Sequence, residues 1–213
     1  GPPGSGKTNF SILASCSQSK DNKKVIFIDT EGGFSVERVK QIVGENHEKI
    51  LENIFLLKPT NFEEQKKCFE KLLIAVKKEQ IGLIVVDGMA MLYRLELGDA
   101  VQSKNDLDIK SINRDIANQM RVLAEISRKQ EIPILITNQV YSGFVSEEDW
   151  KKGLKGETNL VGGDLFKYWS KCIIELKNES GKKKAILLKH RSIKQKEFSF
   201  EIRDEGIFKK GWI

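Results

Sequence analysis

The 213-residue chain contains no run of about 18 apolar residues, the length a helix needs to cross a bilayer, so no membrane span is predicted. No secretory leader is visible at its start, and a cytoplasmic location is expected. Its three cysteines, Cys16, Cys68 and Cys172, stand apart without C-x-x-C spacing. That spacing argues against a zinc site and against a disulfide framework, and it predicts buried thiols in a reducing compartment. There is no internal repeat, no low-complexity linker and no Arg-rich segment of the kind that closes over small-molecule kinase sites. The length suits one α/β domain with a sizeable core. Acid is missing from one segment: Ser180 to Lys196 holds seven basic residues and none of opposite charge. Those seven account for the whole net charge of +6 and leave the remainder near −1. A local patch of this kind suits a polyanion such as DNA, with a solvated lysine-rich hairpin as the plainer alternative.

The first eight residues carry the strongest pattern. Gly1-Pro2-Pro3-Gly4-Ser5-Gly6-Lys7-Thr8 matches G-x-x-x-x-G-K-[ST], the phosphate-binding loop. Its glycines let successive N–H groups converge on a phosphate, Lys7 supplies a point charge, and the Thr8 hydroxyl is a Mg²⁺ ligand candidate. The helix expected from Lys7 to about residue 18 adds the positive end of its dipole. Such a loop hangs from a buried strand, so a supporting strand is expected ahead of Gly1.

Three short apolar runs then read as strands buried on both faces, Lys24–Asp29, Leu83–Asp87 and Ile132–Thr137, with a weaker strand at Asn53–Leu57. Between them lie helices: Val36–Val43, one capped by Asn61 with Glu64 as capping-box partner, and Leu107–Lys129. Phe62, Phe69, Leu72, Leu73 and Val76 are expected to form the core stripe of the second helix. Gly98–Asn105 reads as an exposed loop, and Tyr141–Gly163 as a long irregular segment of functional or mobile character. Lys171–Leu176 and Lys184–Lys189 read as a hairpin joined by Asn178–Gly181, followed by a strand at Phe198–Ile202. The alternation predicts an α/β fold, a mostly parallel twisted sheet flanked by helices with a C-terminal antiparallel β-hairpin.

Polar groups emerge at the C-terminal ends of these strands, where open parallel sheets hold ligands. Asp87 ends an apolar strand in the Walker B manner and is a second Mg²⁺ ligand candidate. Glu31 is suited to orient or deprotonate a water, and the Gln139 amide to touch a γ-phosphate. ATP and Mg²⁺ are therefore the expected cofactors. Lys189 and Arg191, two apart on a strand, are expected on one face and able to address one phosphate group, a neighbour's nucleotide or DNA. His190 is expected to be packed or solvent-facing.

Asp29-Thr30-Glu31-Gly32-Gly33-Phe34 with Glu37-Arg38 resembles the D-T-E-G-x-F-x-x-E-R of archaeal and eukaryotic RecA-type recombinases. Leu92-Tyr93-Arg94, Ile136-Thr137-Asn138-Gln139-Val140 and Val161-Gly162-Gly163 are similar to the same family, in the same order. The resemblance implies a single RecA-like P-loop NTPase core over 1–213. It carries over Gly1, Pro2, Pro3, Gly4, Ser5, Gly6, Lys7, Thr8 and Asp87 as nucleotide and Mg²⁺ residues, and Glu31 as the catalytic carboxylate. Gln139 becomes the γ-phosphate sensor heading a second DNA-binding loop, about Val140–Leu160, and Arg94 the basic residue entering the first.

Two departures stand out. In the second loop Lys151, Lys152 and Lys155 are outnumbered by acids, a poor groove for tracking a nucleic-acid backbone. Lys189-His190-Arg191 resembles instead the basic segment of KaiC-like ATPases. The expectation is a weak ATPase that binds DNA through Arg94, Lys182, Lys183, Lys184, Lys189 and Arg191, single strands preferred. It would assist the main recombinase RadA and repair nucleases, with homo-oligomerisation left open. A KaiC-like assembly and a nucleotide-gated interaction module remain the alternatives.

Overall fold

The computed structural model describes residues 1–142, 158–160, 162–179 and 181–211. Strand β1 (Lys24–Asp29) alternates its apolar side chains between two faces, and both are covered. Ile26 and Ile28 enter one cluster with Leu72, Ile84, Val86, Ile116 and Leu123, whereas Val25 and Phe27 enter another with Ile12, Val39, Leu83 and Val85. This period-two division is why the run is continuously apolar. Each such side chain, fully buried, stabilises the fold by roughly 1.5–3 kcal/mol.

With β2 (Ile54–Leu57), β3 (Ile81–Asp87) and β4 (Ile134–Ile136), it forms a parallel sheet in the order β2-β1-β3-β4. Helix α1 (Lys7–Lys20), α2 (Val36–Val43), a 3₁₀ turn at Gly44–Asn46 and α3 (His47–Leu51) cover the face of Val25 and Phe27. Helix α4 (Phe62–Lys78), α5 (Met91–Gln102), α6 (Asp106–Lys129) and α7 (Asp164–Trp169) cover the other.

The expected C-terminal hairpin is part of a larger unit. Strands β7 (Ile173–Glu179), β8 (Lys182–Lys189), β9 (Glu197–Arg203) and β10 (Gly206–Lys209) form a separate antiparallel sheet in the order β10-β9-β8-β7. Phe200 seats it on α1, its ring 5.2 Å from that of Phe10. Arg38 of α2 ties down the β9–β10 turn by donating to the carbonyls of Arg203 (2.8 Å) and Asp204 (3.1 Å). A two-stranded ribbon, β5 (Val140–Ser142) with β6 (Thr158–Leu160), stands where the second DNA-binding loop was expected; the residues between them lie outside those described.

Several expectations are corrected. Gly98–Asn105 is not a loop: α5 runs through Gly98 to Gln102, because Leu92, Tyr93 and Ala100 pack into the core. The break falls at Lys104, φ 52°, and Asn105, whose side chain caps α6 by accepting from the Leu107 and Asp108 amides. Leu73 leaves the α4 stripe and is 39% exposed; Gln65 and Cys68 hold its place inside. The hairpin is tighter than expected, since β7 extends to Glu179 and β8 begins at Lys182. Cys172 is exposed, while Cys16 and Cys68 are buried as expected. Strand β10 lacks an apolar run long enough to announce itself, and it forms by pairing with β9.

Candidate active site

The phosphate loop lies at the C-terminal edge of the parallel sheet. The Gly1 nitrogen donates to the carbonyl of Asn138, just beyond β4, and a Cβ on Gly1 would sit 2.3 Å from the Leu176 carbonyl oxygen of β7. The loop therefore enters between β4 and β7. Gly4 (φ 70°) and Gly6 (φ 105°) take the left-handed conformation that lets the backbone curl, and Gly6 is the N-cap of α1. Lys7 Nζ donates to the carbonyls of Gly1 (3.0 Å) and Pro2 (2.9 Å) across the curl. Burial pushes the Lys7 ammonium below its ordinary value, and the carboxylates of Glu31 and Asp87 partly offset that. Thr8 lies against Gly33, where a Cβ would come within 3.2 Å of the hydroxyl oxygen.

Asp87 ends β3 and is 1% exposed. Its Oδ1 accepts from Thr137 Oγ1 at 2.6 Å and from Ser11 Oγ at 3.4 Å. Its Oδ2 is buried and has no hydrogen-bond partner among the described residues, and Ser5 Oγ in the loop is in the same condition. A buried carboxylate oxygen left without a donor fits a cation or a cation-bound water, so the residues present suit Mg²⁺.

Glu31 reaches the same edge from β1. Asp29 fixes its turn: Oδ1 accepts from the Gly33 amide at 3.1 Å and Oδ2 from the Phe34 amide at 2.9 Å. Thr30 then stitches the turn to β3 by donating to the carbonyls of Asp87 (3.0 Å) and Gly88 (2.7 Å). Gly88 makes the crossing feasible. It has φ 89°, and a Cβ there would lie 2.5 Å from Thr30 Oγ1 and 2.6 Å from Glu31 Cγ. Beyond β4, Gln139 Nε2 donates to Glu31 Oε1 at 3.1 Å. Glu31, Gln139, Asn138, Arg94, Ala90 and Met91 line one small cleft.

Thus Lys7, Asp87, Glu31 and Gln139 are gathered at one edge, as their strand-end positions suggested. Arg94 joins them from the first turn of α5. Asp29, Gly88 and Thr137 support the site without being among the expected site residues. Their signals were present, as an Asp opening D-T-E-G, an Asp-Gly strand end and a Thr before Asn-Gln.

The basic residues divide differently. Lys183 Nζ donates to the Gly4 carbonyl at 2.6 Å, Lys184 lies 3.9 Å from Glu197, and Lys189 Nζ donates to the Lys167 carbonyl at 2.8 Å. Lys182 and Arg191 are exposed. Lys189 and Arg191 do not share a strand face: β8 stops at Lys189, and His190 Nδ1 accepts from the amides of Ser192 and Ile193, turning the chain. The imidazole nitrogen accepts two backbone donors there, which overrides strand continuation.

Comparison with known proteins gives the lineage. Residues 7–210 match the Rad51 family model. The chain belongs to the Rad51 family. It is 41% identical over 208 residues to the DNA repair and recombination protein RadB of Methanococcus maripaludis, covering 97% of this chain and 88% of that protein. It is 38% identical over 212 residues to the protein of the same description from Methanobrevibacter smithii, covering 97% and 84%. The counterpart from Methanocaldococcus jannaschii is 38% identical over 210 residues, covering 97% and 89%. Rad51-family proteins are in general ATPases that bind ATP with Mg²⁺, and the α/β core of this Rad51-family chain is of the RecA-like kind. Among the described residues, no helix is long and apolar enough to cross a membrane.

Proposed function

We propose that this chain is a cytoplasmic, ATP-binding and weakly ATP-hydrolysing Rad51-family protein that binds DNA and assists homologous recombination and DNA repair. The main strand exchange would belong to a partner recombinase of the RadA kind, and repair nucleases are further partners. Residues 1–213 act as one ATPase core. The observation that carries the catalytic reading is the joining of Glu31 to Gln139 beside the buried, half-unpartnered carboxylate of Asp87. Lys7 and the loop amides bind the phosphates, and Thr8 with Asp87 would hold Mg²⁺. Bound there, Mg²⁺ would neutralise charge on the phosphates. Glu31 accepts the proton of the attacking water at a carboxylate oxygen. Gln139 holds that carboxylate in place and connects it to β5, so a change at the phosphates is passed to the ribbon beyond.

The family membership and the names of the relatives support recombination over a KaiC-like assembly. The turn at His190, which separates Lys189 from Arg191, weakens the paired phosphate clamp that such an assembly would use. The deciding experiment is ATP turnover with and without single-stranded DNA, for wild type, Lys7→Ala and Glu31→Gln. Turnover lost in both variants supports the reading. Turnover that is negligible in wild type and unchanged by Glu31→Gln would leave a nucleotide-gated interaction module.

A further inference from the structure

The antiparallel sheet contributes a residue to the phosphate loop. Along β8 the side chains of Ala185 and Leu187 are buried, and Lys183, two residues before Ala185, lies on that same inward face. Its cross-strand partner on β9 is Phe200, which is fully buried beneath the loop. A Cβ on Gly6 would lie 3.0 Å from Ile202 Cδ1 and 3.7 Å from Phe200, so the loop rests on this face of the sheet. Lys183 thus runs its methylenes along an apolar surface and delivers its ammonium to the loop's edge. There it donates to the Gly4 carbonyl at 2.6 Å. Neighbouring Lys182 is exposed, and Lys184 faces Glu197.

Lys183 also lines a cavity of about 450 Å³ with Lys182, Phe200, Glu201, Ile202 and Lys210. A charge-assisted bond to the Gly4 carbonyl orients the Gly4–Ser5 peptide, and so the Ser5 amide on its other side. Gly4 has φ 70° and nothing within 4 Å of its Cβ position, and the Ser5 amide of the same peptide donates to the Pro2 carbonyl at 3.3 Å, so Lys183 holds the oxygen side of a turn whose nitrogen side is already bonded. The ammonium also raises the positive potential at the loop.

We propose that Lys183 is a nucleotide-positioning residue acting within its own chain: it holds the phosphate loop open for a nucleoside triphosphate, and is not a DNA contact of the basic hairpin. This rests on the reading of the loop as the nucleotide site. Lys183 also couples the antiparallel sheet to the loop, because a nucleotide that shifts the Gly4–Ser5 peptide alters this bond.

The test measures Mg²⁺–ATP affinity by calorimetry and single-stranded DNA affinity by fluorescence anisotropy for wild type, Lys183→Ala, Lys183→Arg and Lys182→Ala. Loss of one charge-assisted hydrogen bond is expected to weaken ATP binding about tenfold in Lys183→Ala. Lys183→Arg should restore most of it, Lys182→Ala should retain wild-type ATP affinity, and the melting temperature should stay within a few degrees. ATP affinity unchanged in Lys183→Ala, or reduced equally in Lys182→Ala, overturns the proposal and leaves the nucleotide site intact. A wild-type protein that binds no ATP overturns the reading of the loop itself.

Discussion

Gln139 Nε2 donates to Glu31 Oε1 at 3.1 Å, joining the ends of β4 and β1 across the strand that lies between them. The two residues are 108 positions apart, and each came from a different motif. The bond gives the carboxylate a fixed lone-pair direction and gives the amide a fixed state to report. Glu31→Gln is expected to cut ATP turnover by ~10²-fold or more while ATP affinity stays within a few-fold of wild type. Gln139→Ala should lower turnover less and uncouple it from DNA. Single-turnover kinetics with and without DNA separates the two effects; equal behaviour of both variants would remove the positioning role of Gln139.

Gly88 is expected to tolerate no side chain. Gly88→Ala forces a Cβ to within 2.5 Å of Thr30 Oγ1 in a backbone conformation that L residues avoid. The cost is about 1–3 kcal/mol of stability. Glu31 must also move, so turnover should drop even at temperatures where the variant is folded. Thermal unfolding followed by ATPase assay well below the midpoint checks both parts.

Thr137→Val removes the donor to Asp87 Oδ1 (2.6 Å) and the acceptor of the Gly88 amide (2.8 Å). With Asp87 buried, the expected destabilisation is about 1–3 kcal/mol. The carboxylate also loses its orientation, so the Mg²⁺ concentration for half-maximal turnover should rise. Chemical denaturation and an Mg²⁺ titration report these separately.

The thiols should fall into two reactivity classes. Cys172 is exposed and should react with a thiol reagent at once in the native protein at pH 8, whereas Cys16 and Cys68 react only on unfolding. Burial pushes the Cys16 thiol up from 9.0 to about 11. Above pH 9 the unfolded chain loses that proton and the folded one keeps it. Cys16 therefore lowers stability as pH rises from 9 towards 11. Cys16→Ala should flatten that part of the stability profile, read by urea denaturation at each pH.

Much of the site was legible because its residues sit where local rules are strong. Buried parallel strands demand continuous apolar runs, and the polar residue ending each run must lie at the sheet edge, which located Glu31, Asp87 and Gln139. The basic residues were harder to read, because their partners are distant in sequence. Lys183 meets Gly4 across 179 positions, and Lys189 meets Lys167 in another element. Arg191 leaves the expected strand face because two amides bonding His190 end the strand, a contact without a sequence pattern. In Gly98–Asn105 the turn-forming residues that suggest a loop yield to the packing of Ala100, and α5 continues to Gln102.

From its sequence alone this protein has a phosphate loop, a parallel α/β core and acidic strand ends facing that loop. Those features depend on period, glycine conformation and residue chemistry, which act over a few neighbouring positions. Tertiary structure decided which groups meet: Glu31 with Gln139, Thr137 with Asp87, and the inward face of β8 with the loop. Strand order and the seating of one sheet on another set those distances, through hydrogen bonds and close packing between segments far apart in the chain.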